Sequence, residues 1–197
     1  MKTATVKVFK FNELSKEVQA KVLDNMRTIN VDYDWWDGEL DNFKYETKKL
    51  GFDIEVGEIE FNLDRGGMFG ISPNGISVDD KFMQKELKLK KKPFVDIKFN
   101  VRQVGITHCE FPRDEWFKSS SNGTGWYDVI IKNATKDDIG NINLKISTMI
   151  SDLCNLCKNT LDDLRLQSDE LQENKAVEDT IVDNEYEFTE DGERWTK

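Results

Sequence analysis

The chain has 197 residues, 38 % of them hydrophobic and 11 % aromatic, with a formal net charge of −10. That length and apolar content suffice for one domain with a real core and exclude general disorder. A single histidine, His108, excludes a multi-histidine metal site within one chain, and three cysteines without an export signal make reduced thiols the default.

The stretch "MKTATVKVFKFNELSKEV" has scattered lysines and no apolar h-region, and no apolar run approaches the length of a membrane span. A soluble, intracellular protein is expected. The acidity is a C-terminal property. Residues 162–193 hold thirteen acids and two bases, Arg165 and Lys175, which leaves residues 1–161 almost neutral. Such a field repels nucleic acid and attracts basic protein surfaces.

Residues 4–11, "ATVKVFKF", alternate and predict a strand. In "NELSKEVQAKVLDNMRTI" the residues Leu14, Val18, Val22, Met26 and Ile29 recur at helical spacing and predict an amphipathic helix. In "NVDYDWWDGELDNF" two tryptophans sit among five acids. Trp36, Leu40, Phe43 and Leu50 fall on one face of a helix from about Asp34 to Leu50, closed by Gly51 as C-cap. Asp32 or Asp34 is expected to cap its start, with Lys48 and Lys49 at the other end of the macrodipole. Trp36 is assigned to the core, while Trp35 points elsewhere.

Residues 52–63, "FDIEVGEIEFNL", hold two alternating runs of opposite parity. A bulge at Gly57 would keep both on one sheet face. "DRGG" (64–67) reads as a hairpin turn and "MFGIS" as the return strand. "SPNG" is a turn, and "KELKLKKK" (85–92) a basic run read as a strand end or a solvated loop. "FVDIKFNVRQV" (94–104) predicts a strand with Val95, Ile97, Phe99 and Val101 on one face. "ITHCEF" (106–111) is its expected partner, "SSSNGTG" (119–125) a loop and "WYDVIIKNA" (126–134) a further strand. From Lys136 the apolar positions Ile139 to Leu164 mark a long helix reaching about Leu171. Asn174 is expected to cap a shorter one over 175–183, before a terminal strand carrying Tyr186 and Phe188.

Hairpin-linked strands with helices grouped at the two ends predict an α+β fold. Its sheet is mainly antiparallel, with two N-terminal helices and a long C-terminal amphipathic helix. The expected organisation is a single α+β domain over 1–197, with a sheet-rich part (1–135) and an acidic helical part (136–197).

Candidate chemistry is sparse. Cys154 and Cys157 form a CxxC in mid-helix, where buried structural cysteines are favoured over a redox or metal role. A Cys₃His site would require Cys109 and His108 to converge on them. His108 and Cys109 are strand neighbours pointing to opposite faces, so they do not form a dyad. "RGGMFG" lacks the Gly-Lys-Ser/Thr ending of a phosphate loop. The carboxylates are too numerous to nominate a pair, and no catalytic residue, metal or cofactor is assigned. The sharper expectation is that Asp162, Asp163, Asp169, Glu170, Glu173, Glu178 and Asp179 imitate a phosphate backbone and occupy a nucleic-acid-binding groove on another protein. Trp35, Arg65 and Trp126 are the candidates for a small-ligand site.

The N-terminal "VFKFNELSKEVQAKVLDNMRTINVDYDWWD", the central "FNLDRGGMF" and the ending "AVEDTIVDNEYEFTEDGERW" resemble small acidic accessory proteins of phages, prophages and plasmids. That resemblance implies a phage or mobile-element protein acting in the host cytoplasm. Its implied partner is a host defence or nucleic-acid-binding protein, a CRISPR effector among them, inhibited by direct binding with no nucleic acid or membrane bound by the chain itself. The alternatives are a protein that sequesters a nucleotide signal and a metal-dependent hydrolase.

Overall fold

Each helix is set by an apolar stripe and a chemically specific end. The structure, a computed structural model, describes residues 6–55, 57, 59–63, 68–71, 76–99, 104–106 and 127–196. It is an α+β fold, and every strand ladder among the described residues is antiparallel. Contacts divide it into two compact units. One joins the chain ends, Met1–Trp35 and Arg165–Lys197; the other is Trp36–Leu164.

In the unit of the chain ends, β1 (Phe9–Lys10) leads into a 3₁₀ turn, Phe11–Glu13. Of the expected strand over 4–11, residues 4 and 5 lie outside the described residues, and its end is cut short at Lys10, where the Glu13 carboxylate accepts the Lys10 N–H at 2.8 Å and closes the turn. α1 (Lys16–Asn25) starts at Ser15, whose hydroxyl accepts the Val18 N–H, as an N-cap does. β1 pairs with β9 (Glu187–Phe188), and β9 with β10 (Arg194–Trp195). Phe11, Leu14, Val22, Val177, Ile181 and Phe188 form the core, with Met26 and Ile29 packed against it. Buried Asn30 ties two segments together. Its amide donates to the Leu171 carbonyl at 3.0 Å, and its carbonyl accepts from the Thr180 hydroxyl at 2.7 Å.

α5 (Asn174–Asp183) starts one residue earlier than expected, with Glu173 rather than Asn174 at the N-cap and no side-chain capping bond. Its end is a Schellman motif. The Tyr186 N–H reaches the Ile181 carbonyl at 3.2 Å and the Glu185 N–H the Val182 carbonyl at 3.0 Å, while Glu185 adopts a left-handed φ of 52°. Glycine is the usual occupant, because a Cβ there meets the following carbonyl. Glu185→Gly is expected to raise stability by about 0.5–1 kcal/mol. The side chain it removes is 84 % exposed and lies 4.0 Å from Lys10 Nζ, so little is lost. A denaturant midpoint no higher than the parent's would contradict the strain.

In the central unit, α2 (Asp37–Leu50) ends at Gly51, left-handed at φ 91°, with Lys48 and Lys49 in its last turn as expected. Its start differs from expectation. Neither Asp32 nor Asp34 caps it; Trp36 stands at the N-cap position and makes no side-chain capping hydrogen bond, and Asp37 and Glu39 supply the first-turn negative charge. Trp36 meets the Phe61 ring edge-on at 5.3 Å and Phe43 meets Phe69 at 4.7 Å, so α2 packs on the β3–β4 hairpin.

β2 (Phe52–Ile54) pairs with β5 (Ile76–Val78), whereas β3 (Ile59–Asn62) pairs with β4 (Met68–Ile71). The two runs of opposite parity are thus separate strands in separate sheets, not one strand bulged at Gly57. The hairpin expected over 59–71 is present in the β3–β4 register; the 64–67 turn itself lies outside the described residues, as does "SPNG".

An unforeseen helix, α3 (Asp80–Glu86), follows, capped by Asp79, which accepts the Lys81 and Phe82 N–H groups. β6 (Phe94–Phe99) pairs with β8 (Tyr127–Lys132) over six residue pairs, and β7 (Val104–Ile106) pairs with β4. Ile106, the first residue of the expected partner strand, pairs with Phe69 of β4. The rest of "ITHCEF", Val101 and the loop 119–125 fall outside the described residues.

α4 (Lys136–Leu171) runs 36 residues as expected, about 54 Å at 1.5 Å per residue. Its start is a reciprocal cap. The Thr135 hydroxyl accepts the Asp138 N–H at 3.2 Å, and Asp138 accepts both the N–H and O–H of Thr135. Those bonds hold the Asp138 carboxyl below its usual range. Ile142, Ile146, Met149, Ile150, Leu153, Cys157, Leu161 and Leu164 form its buried stripe. No helix among the described residues is long and apolar enough to cross a membrane.

Candidate functional site

The stripe that α4 buries fixes the face it exposes. At 100° per residue, Asp162, Asp163, Leu166, Asp169 and Glu170 fall within an arc of roughly 120° opposite the buried stripe. All five are exposed. Leu166, 60 % exposed, has Asp162 and Asp163 four and three residues before it, and Asp169 and Glu170 three and four after. An apolar side chain is thus framed by four carboxylates on one helix face. Half-buried Arg165 lies at the arc's flank.

The other expected acids are less uniform. Glu173 is exposed at the start of α5. Glu178 is half-buried. Asp179 is exposed but accepts a 2.5 Å hydrogen bond from Lys175 four residues earlier, and that bond is the main cause of a raised Lys175 pKa.

Of the expected small-ligand set, Trp35 alone lies among the described residues. Trp35 is half-buried, its backbone N–H bonded to the Tyr33 carbonyl at 2.8 Å. Arg65 and Trp126 lie outside the described residues, as do His108 and Cys109. Cys154 and Cys157 are free, buried and part of the α4 stripe, as expected of structural cysteines. Burial pushes the Cys154 thiol up to about 12 and the Cys157 thiol well above the usual range, which favours the neutral form of both. Among the described residues no three His, Cys, Asp or Glu side chains are grouped to hold a metal ion.

A second feature was not foreseen. The basic run, read from sequence as a strand end or loop, leaves α3 through a Schellman motif with Lys88 left-handed at φ 51°. It then forms one wall of a cleft of about 720 Å³, with Lys88, Lys90, Lys91 and Lys92 lining it. The opposite wall is Asn133 to Thr135 with Asp137 and Asp138, the junction of β8 and α4. The signal for this turn was present: Asp79 followed by Phe82, Met83 and Leu87 is a capped helical pattern.

Fold and site together define an α+β protein with an acidic, leucine-centred helix face and a separate lysine-lined cleft. The chain matches no family model, no curated protein and no solved structure.

Proposed function

We propose that the chain is a phage or mobile-element accessory protein that inhibits a host defence factor, such as a CRISPR effector, by direct binding. The acidic face of α4 would occupy a basic surface that otherwise takes nucleic acid. The observation that carries this reading is the arc of four exposed carboxylates around Leu166. Positions 162 to 170 span about 12 Å of helix axis, and the four acids stand there as two adjacent pairs about 9 Å apart along it. Their average charge density is on the order of that of one DNA strand, which carries a phosphate about every 3.4 Å. Leu166 adds what a phosphate backbone lacks, an apolar contact that a charged rim surrounds, the arrangement that concentrates binding energy in protein interfaces. The resemblance of the chain's beginning, central "FNLDRGGMF" and ending to mobile-element proteins supports the same reading.

The test is capture of host partners on tagged protein at moderate and high salt, alongside the variant Asp162→Lys/Asp163→Lys/Asp169→Lys/Glu170→Lys. The expected partner binds nucleic acid, is released by salt, and loses affinity at least about 100-fold for the reversed face. All four sites are exposed, so the melting temperature should stay close to the parent's. Unchanged affinity of the reversed protein would sink the mimicry.

A further inference from the structure

We infer that the cleft between residues 88–92 and the start of α4 binds a compact phosphorylated small molecule, with Lys88, Lys90 and Lys91 as its phosphate contacts. Three observations converge. The volume, about 720 Å³, lies in the range of small-molecule sites, roughly 300–1,000 Å³. Four lysines line it against two aspartates, so the lining is net cationic in a protein of net charge −10. The carboxylates nearby are also partly committed: Asp138 to the Thr135 cap, and Asp80 to the Val95 N–H at 3.1 Å and Lys92 Nζ at 3.5 Å. That leaves Lys88, Lys90 and Lys91 as the cations able to turn to a ligand, with Asp137 and the ionised Asp138, which feels the Lys90 charge, as the opposing charges.

The described lining contains no aromatic ring, so base stacking is not offered and the phosphate chain is the recognised part. The walls are the α3–β6 loop and the β8–α4 junction, which makes the cleft independent of the acidic face on α4's C-terminal half.

The experiment is a calorimetric titration of the full chain with inorganic tripolyphosphate at low ionic strength, repeated with a single-stranded oligonucleotide. Saturable binding of tripolyphosphate at one site per chain is expected. Lys90→Gln/Lys91→Gln should weaken it about 10-fold or more, and Asp137→Asn should tighten it. Lys44→Gln/Lys48→Gln, on α2, should leave it unchanged. Lys88→Gly separates binding from folding. It relieves a left-handed non-glycine residue, so it should raise the melting temperature while weakening the ligand. No binding to the parent, equal losses in the α2 control, or an oligonucleotide bound more tightly than tripolyphosphate would each overturn the inference. None of these results depends on whether the reversed acidic face still captures a host protein.

Discussion

Phe188→Ala is expected to cost about 3–5 kcal/mol and to unfold the unit built from the chain ends before the rest. Phe188 is fully buried on β9, the middle strand of its sheet, opposite Phe9 on one side and Arg194 on the other. Its ring meets Phe11 edge-on at 6.5 Å, and Leu14, Val22, Val177 and Ile181 complete the cluster. Truncation leaves a ring-sized void in a cluster where, among the described residues, six side chains are buried and Phe9, Val18, Leu23, Met26, Ile29 and Tyr186 pack around them, and a close-packed cluster of that size collapses only partly. The loss is comparable to the whole stability of a small domain. Hydrogen exchange is the decisive measurement: protection should fall first in α1 and α5 and last in the buried half of α4. Phe188→Leu, which keeps most of the volume, should cost clearly less. A loss below about 1 kcal/mol for the alanine variant would mean that this cluster is not what holds the unit together. The functional corollary follows from position. Asp169, Glu170 and Glu173 belong to this unit, so partner capture should fail with it.

What was legible in the sequence divides along the range of the forces involved. The helices α1, α2, α4 and α5 were readable because amphipathic spacing is a local signal repeated over several turns. Val22, Phe43, Leu153 and Ile181 are all buried where that spacing put them. Start positions were less readable. Asp34 looks like a cap, but residues 31–36 turn on backbone bonds such as Trp35 N–H to the Tyr33 carbonyl, and the chain enters α2 through Trp36 in a helical conformation. Strand existence was readable and strand partnership was not. Phe52–Ile54 and Ile59–Asn62 lie only a few residues apart yet pair with β5 and β4, and β6 finds β8 some thirty residues on. Those choices rest on non-local contacts that no local pattern records. The acidic face was legible because charge and helical phase are both in the sequence. The lysine cleft was not, because it exists only once α3 and the β8–α4 junction are brought together.

Gly51→Ala is expected to destabilise the central unit by about 2–5 kcal/mol, from two separable causes. The first is conformational. Gly51 caps α2 at φ 91°, a region that costs an L-residue about 1–2 kcal/mol. The second is steric. A Cβ on Gly51 would run into the Phe82 ring, only 2.6 Å from Cε1 and 2.9 Å from Cγ. Phe82 cannot easily give way, because Asp79 holds the first turn of α3 and Lys145 sits over the ring at 5.4 Å. The Gly51 carbonyl also accepts the Asp79 N–H at 2.9 Å, so a shift of the backbone at 51 breaks the link from α2 to the α3 cap. Gly51→Asn tells the causes apart. Asparagine tolerates the left-handed region but carries the same Cβ. If φ dominates, the asparagine variant should melt close to the parent; if the ring dominates, it should fall with the alanine variant. The contact distances favour the ring, and the expected order is therefore parent well above both variants, with asparagine only slightly the better. An alanine variant as stable as the parent would show that α2 and α3 do not meet at this glycine. The lysine cleft gives an independent readout of the same event. Its basic wall leaves from the end of α3, so disturbing α3 at Phe82 should weaken phosphate binding even while the α4 stripe stays folded.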